Sequence, residues 1–162
     1  MTYTAQVAAI TAKMLTVPDV GVVHERPRFG DALTHWVTDI NGVPTIRAWE
    51  VGLDGDGIRV ERTTQAHRHK WSTFLIKGYM SLGEPEEDAD GAEIPSVGGY
   101  GTLVDLALLI GDALDADPTV AGTMLDHNGT QIGEPVAMVI GGGVICWGIT
   151  LSMTGYVVEE YA

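Results

Sequence analysis

The stretch "AHRHKWSTFLIKGYMSL", residues 66 to 82, gathers the side chains best suited to chemistry. His67 and His69 sit two apart, with Arg68, Lys70 and Lys77 around them. On a strand, residues two apart point the same way, as a metal site requires. Zinc needs at least a third ligand, and nothing local supplies one. His24, His35 or an acid would have to come from elsewhere in the chain. Read with period two, Phe74, Ile76, Met80 and Leu82 fall on one face. His67, His69, Trp71, Thr73, Lys77 and Tyr79 fall on the other. That pattern predicts a long half-buried strand whose aromatic and basic outer face meets a partner.

Other chemical patterns fail on spacing. "DGDG" at 54–57 lacks the third acid, central glycine and distal glutamate of a calcium loop, so it reads as a hairpin turn. Gly141 to Gly143 open a strand, whereas a phosphate-cradling loop opens a helix. Cys146 is the sole cysteine and has no basic residue near it in sequence, so it reads as a small core residue. The sequence contains no G-x-S-x-G, Walker loop, H-E-x-x-H or C-x-x-C. Catalytic sets assembled only by folding stay open at this point.

These residues must be positioned by a chain of 162 residues, long enough for one domain over 1–162 with a real core. Its 21 glycines favour strands and turns over a bundle. The start lacks a basic n-region, and no run approaches the ~18 apolar residues of a membrane span. A reducing cytoplasm is therefore the expected compartment. Net charge is -13. All nine bases lie at or before Lys77, together with eight acids; fourteen acids and no base follow. The acidic balance argues against phosphate-mediated nucleic-acid binding. The uneven halves suit head-to-tail pairing between copies, although acids also simply keep a small protein soluble.

Residues 4–16 predict a helix with Thr4 as N-cap, a stripe of Val7, Ile10 and Met14, and Ala8 and Leu15 beside it. "VGVVHERPRF" predicts a strand. Residues 31–40, "DALTHWVTDI", read as a short helix burying Leu33, Trp36, Val37 and Ile40. "TIRAWEVGL" predicts a strand with Trp49, Val51 and Leu53 on one face and Ile46, Ala48 and Glu50 on the other. Residues 83–99 carry six acids, two prolines and four glycines, which predicts a long acidic loop. A helix follows, with Thr102 and Asp105 at capping-box spacing. Its stripe is Leu103, Leu106, Ile110 and Leu114, widened by Leu109; Asp105 and Asp112 lie off it. "EPVAMVI-GGG-VICWGITLSMTGYVVEEY" predicts a hairpin. Its second strand has Ile145, Trp147, Ile149, Leu151 and Met153 on one face and Cys146, Gly148, Thr150, Ser152 and Thr154 on the other. The expected fold class is α+β: one curved, mainly antiparallel sheet with two amphipathic helices packed on one face.

This pattern resembles the tail terminator (tail completion) proteins of long-tailed phages. The residues that carry the resemblance are "LTVPDVGVV" after the first helix, "WEV", "HKWSTFLIKGYMSL", the helix "TLVDLALLIGDAL" and a last strand near the C-terminus. The likeness is topological and covers most of the chain. The "DALTHWV" segment and the doubled C-terminal hairpin have no clear place in it. It implies a virion protein of the tail–neck region, assembled in the host cytoplasm. Such a protein forms a ring, typically a hexamer, that stops tube growth and joins the tail tube to the head connector. It implies no enzymatic activity and no cofactor. Across a heterologous ring interface, Arg47, Arg59, Arg68 and Lys70 would face Glu84, Glu86, Glu87, Asp88, Asp90 and Glu93. An acidic lumen would let genomic DNA pass without sticking. Two alternatives remain: another neck or tail protein, such as a head-closure or tube subunit, and a ligand-binding or cyclase-like α+β enzyme using His67, His69 and Tyr79.

Overall fold

The computed structural model describes residues 1–28, 35–40, 42–83, 86–87, 90, 93–94, 98–140 and 143–160. Helix α1 spans Tyr3–Met14. Its N-cap is Thr2, not Thr4: the Thr2 hydroxyl accepts the Ala5 N–H at 3.2 Å, which starts the helix a residue early. Val7, Ile10 and Met14 are buried as the spacing predicts, and Gln6 and Thr11 join them. Ala8 and Leu15 face solvent instead, Leu15 because it already stands at the cap. Helix α2 spans Tyr100–Asp115. The expected capping box does not form. Gly99 is the N-cap, and Thr102, inside the first turn, donates its hydroxyl to the Gly98 carbonyl. Leu103, Leu106, Ala107, Ile110 and Leu114 are buried; Leu109 turns outward with Leu108.

The strands are β1 (Val22–His24), β2 (Val37–Ile40), β3 (Val43–Arg62), β4 (His67–Met80), β5 (Glu86–Glu87), β6 (Glu93–Ile94), β7 (Asp126–His127), β8 (Gln131–Ile132), β9 (Val136–Ile140) and β10 (Val144–Glu160). Eight of them form one open sheet ordered β1-β3-β4-β10-β7, with β2 on β3 and with β8 and β9 on β10. Every pairing is antiparallel except β1 with β3. The molecule is thus α+β with a mostly antiparallel sheet.

Three expectations about the turns and loops need correction. Residues 37–40 are not helical. They form β2, paired antiparallel to β3, and the Gly42 N–H is donated to Asp39 Oδ1 at 2.8 Å. Asn-Gly is a strong hairpin signal, and it prevails over the local apolar spacing. Leu33 lies outside the described residues. Second, "DGDG" is no hairpin turn. β3 runs through it, with Leu53 opposite Phe74 and Ile58 opposite Ser72. Five steps on β3 therefore match two on β4, and three residues bulge out. The true turn is at 63–66, where the Thr64 hydroxyl accepts the Ala66 and His67 N–H groups. Third, the acidic loop contains a small two-stranded sheet, with Glu86 opposite Ile94 and Glu87 opposite Glu93.

The main core joins Val7, Ile10 and Met14 of α1 and the α2 stripe to Trp49, Val51, Phe74, Ile76, Met80, Ile149, Leu151 and Met153. Trp147 is partly buried against it. Cross-strand register puts Val51, Ile76 and Leu151 side by side, so alternation is in phase across β3, β4 and β10. The Trp49 indole donates to the Val20 carbonyl at 2.8 Å and lies over Gly78, where a Cβ would fall 2.3 Å from the ring. No side chain fits there. Gly21 (φ 89°) is equally constrained, because a Cβ would meet the Arg47 carbonyl oxygen at 2.2 Å. A second cluster holds Trp36, Ile46, Ala48, Tyr79 and Cys146 on the other side of the sheet. Tyr79 is therefore buried, contrary to the polar outer face expected of it, while Leu82 lies beyond the strand and is exposed.

Replacing Leu106 or Ile149 with Ala is expected to lower unfolding free energy by about 2–5 kcal/mol, as large-to-small core changes do. Denaturant titration of each variant checks this, and a loss near zero at either site would contradict the packing.

Candidate interaction surface

Alternation along β4 and β10 divides their far halves into two faces. On the face away from the main core, His69, Trp71 and Thr73 stand opposite Val158, Tyr156 and Thr154, and Arg59 of β3 stands opposite Trp71. The side chains interlock. The Tyr156 hydroxyl lies 2.5 Å from His69 Nδ1, and the Thr73 and Thr154 hydroxyls are 3.1 Å apart. The Trp71 ring centre is 5.4 Å from that of Tyr156 and 5.9 Å from that of His69. The Arg59 guanidinium lies 4.4 Å above the Trp71 ring, a cation–π contact. An open depression of about 550 Å³ runs beside Arg59, Trp71, Thr73 and Thr154, with Asp56 at its rim. The bulge at 54–57 places Asp56 there.

His67 does not share this arrangement. Its Nε2 lies 3.4 Å from Glu160 and its Nδ1 3.3 Å from the Thr64 hydroxyl. His24 bonds to the His35 carbonyl and packs on Trp36, at the other end of β3. The third ligand that a zinc site at His67 and His69 would need is thus not supplied by His24. Among the described residues no group of three metal-ligating side chains occurs.

The basic residues proposed for an interface are scattered as well. Arg47 is 5% exposed and donates to the Asp19 carbonyl at 3.1 Å. Burial lowers its pKa, opposed by Asp19. It packs inside the chain and offers no surface charge, which corrects its expected role. Arg68 and Lys70 share the parity of Phe74 and Ile76 along β4 and converge on Glu159, Lys70 at 3.2 Å. Lys70 also donates to the Met1 carbonyl, and the Met1 ammonium lies 3.5 Å from Glu159. Burial pushes the Glu159 carboxyl up, but the Arg68 and Lys70 bonds outweigh it and hold it below its ordinary value. Arg59 alone of the four is broadly open, at 72% side-chain exposure, with Glu61 3.8 Å away. Of the acids, Glu84 and Asp88 lie outside the described residues. Glu86, Glu87 and Glu93 are placed by backbone in β5 and β6, and Asp90 is exposed.

Sequence reasoning missed the polar centre of the second cluster. Glu50 is buried, accepts the Tyr79 hydroxyl at 2.8 Å and accepts the Arg28 N–H at 2.9 Å. Burial and the Glu50 bond push the Tyr79 pKa well up. The signal was present: an acid at the same parity as Ile46 and Ala48 needs a donor. A hollow of about 270 Å³ beside Tyr79 is lined by Lys77, Glu134, Met138 and Thr150. Cys146 is buried, as expected of a core residue, and burial pushes its thiol up to about 11. At the foot of α1, Lys13 meets Asp117 at 2.8 Å. That bond, with bonds from the Ala121 N–H and Thr119 hydroxyl, holds the Asp117 carboxyl well below the usual range. No protein-family model matches the chain, and a search of curated proteins gives no match either.

Two outcomes follow from these environments. At pH 8 about one Cys146 thiol in a thousand is ionised, so native protein should resist alkylation until denatured. Fast labelling of folded protein, followed by mass spectrometry, would contradict the burial. For Asp117, the folded pKa lies below the unfolded value of about 3.9. Its contribution is then present above that value and lost as pH falls through the lower folded one. The gap in thermal midpoint between wild type and Asp117→Asn should be full at pH 7 and narrow below pH 4.

Proposed function

We propose that the chain is a structural assembly subunit of the phage tail terminator type. It forms a ring at the head-proximal end of a tail, stops tube growth and meets the head connector. It acts by contact and turns over no substrate. In this reading the sheet is curved and both helices lie on one of its faces. The single cluster that joins α1, α2 and the in-phase strands supports that arrangement.

The observation that carries the reading is the charge order seen on the open sheet. Every base of the chain lies at or before Lys77, so β7, β8, β9 and α2 themselves carry no Lys or Arg. β3, across the sheet, carries Arg59 and Arg62 interspersed with Asp54, Asp56 and Glu61, a mixed side against a purely acidic one. A subunit with unlike sides suits a heterologous, repeating interface. Exposed Leu108 and Leu109 on α2 offer a contact for the tail tube or the head connector. DNA would pass an acidic lumen without binding. A small-ligand binder is the rival, favoured by the hollow that Lys77 and Glu134 line. It calls for a monomer or dimer.

The test is oligomeric mass by light scattering together with negative-stain images, with and without purified tail tubes. Closed rings that cap tubes are the expected result. A protein that stays monomeric and leaves tube length unchanged would overturn the reading, as would a specific turnover lost in His69→Ala.

A further inference from the structure

On the side of the sheet that holds the second cluster, β4, β10 and β9 leave a hollow of about 270 Å³. Gly148 lies at its floor and carries no side chain. It stands opposite Tyr79 of β4 on one side and Val136 of β9 on the other. Tyr79, Val136 and Met138 give the hollow apolar walls. Two residues along β10 the lining turns polar. Thr150 stands opposite Lys77 of β4. On its other side the Gly133 N–H is donated to the Thr150 carbonyl at 2.8 Å, and Glu134 follows. Lys77, Thr150 and Glu134 all line the hollow. Lys77 and Glu134 therefore flank β10 from opposite sides, two strand spacings or about 10 Å apart at the backbone.

Neither of these two side chains forms an ion pair or hydrogen bond with a described residue. Glu50, opposite Lys77 on β3, is already bonded to the Tyr79 hydroxyl and the Arg28 N–H. An ammonium and a carboxylate set on either side of a half-apolar hollow match a ligand that carries both opposite charges. A simple anion would meet Lys77, but also Glu134 and a chain of net charge -13. A simple cation would meet Glu134, but also Lys77. A zwitterion is neutral overall and complements both. The volume falls just under the ~300–1,000 Å³ of drug-sized pockets, so the ligand is small. We infer that the hollow binds a free α-amino acid with an apolar side chain. Its carboxylate meets Lys77, its ammonium meets Glu134, and its side chain packs on Tyr79, Val136 and Met138. The site lies within one chain, so the inference goes beyond the assembly reading and does not depend on it.

The test is isothermal titration calorimetry of the full chain at physiological salt with three probes. They are L-leucine, N-acetyl-L-leucine, which lacks the ammonium, and L-leucinamide, which lacks the carboxylate. L-leucine should bind at least tenfold more tightly than either analogue. Lys77→Met should weaken L-leucine at least tenfold and leave L-leucinamide unchanged. Glu134→Gln should weaken L-leucine equally and leave N-acetyl-L-leucine unchanged. Lys77 is half-buried and Glu134 exposed, so each variant should keep the wild-type thermal midpoint within a few degrees, which is checked first. If a variant does not fold, the analogues on the wild type decide. No binding of L-leucine at millimolar concentration, equal binding of all three probes, or folded variants that bind L-leucine like the wild type overturns the inference. Rings that cap tubes but bind no L-leucine leave the terminator reading standing without this site. A monomer that binds L-leucine with the expected selectivity keeps the site and removes the terminator reading.

Discussion

The register of β4 is the constraint on which the rest of the molecule depends. β4 is paired along its length by β10 on one side and by β3 on the other. A slip of one residue would turn Phe74, Ile76 and Met80 out of the main core and His69, Trp71 and Thr73 into it. Gly78 pins the register, because the Trp49 ring fills the space its missing side chain leaves. Trp49 is held in turn by the Val20 carbonyl, which fixes the chain between α1 and β1. Helix, turn and sheet are thus locked through one indole and one glycine.

Where a residue's fate depends on neighbours in sequence, it was legible. The core residues Phe74, Ile76, Met80, Ile149, Leu151 and Met153 of β4 and β10 and most of the α2 stripe follow from spacing, and Cys146 from its lack of basic neighbours. The failures share a different origin. "DGDG" has the chemistry of a turn, but pairing with β4 before and after it made a bulge cheaper than a reversal. "THWVTDI" has apolar spacing that suits a helix, yet residues 37–40 pair antiparallel with β3. Arg47 has the charge of a surface residue, and only the tertiary fold brings the Asp19 carbonyl to it. Strand parity separates Arg68 and Lys70 from His67, His69 and Trp71; composition runs them together as one basic patch. The Glu50–Tyr79 bond joins positions 29 apart on adjacent strands. Local patterns cannot pair them, although parity shows that Glu50 must find a donor.

The sheet also uses its charges unevenly. Arg68, Lys70 and the N-terminal ammonium converge on Glu159, and Lys13 is spent on Asp117. Much of the small basic complement is therefore consumed inside the chain. The acids of α2 that lie off its buried stripe, Asp105 and Asp112, stay in solvent. The ion pairs neutralise acids as well, so the folded chain keeps the strongly acidic balance of its sequence, with net charge -13.

The β4–β10 ladder runs unbroken from His67 opposite Glu160 to Met80 opposite Trp147. A force along these strands must shear all the rungs together, whereas a force across them opens the rungs one at a time. The molecule is therefore mechanically anisotropic, stiff along β4 and compliant at right angles to it. Any structure built from it would bear tension best with β4 aligned to the load.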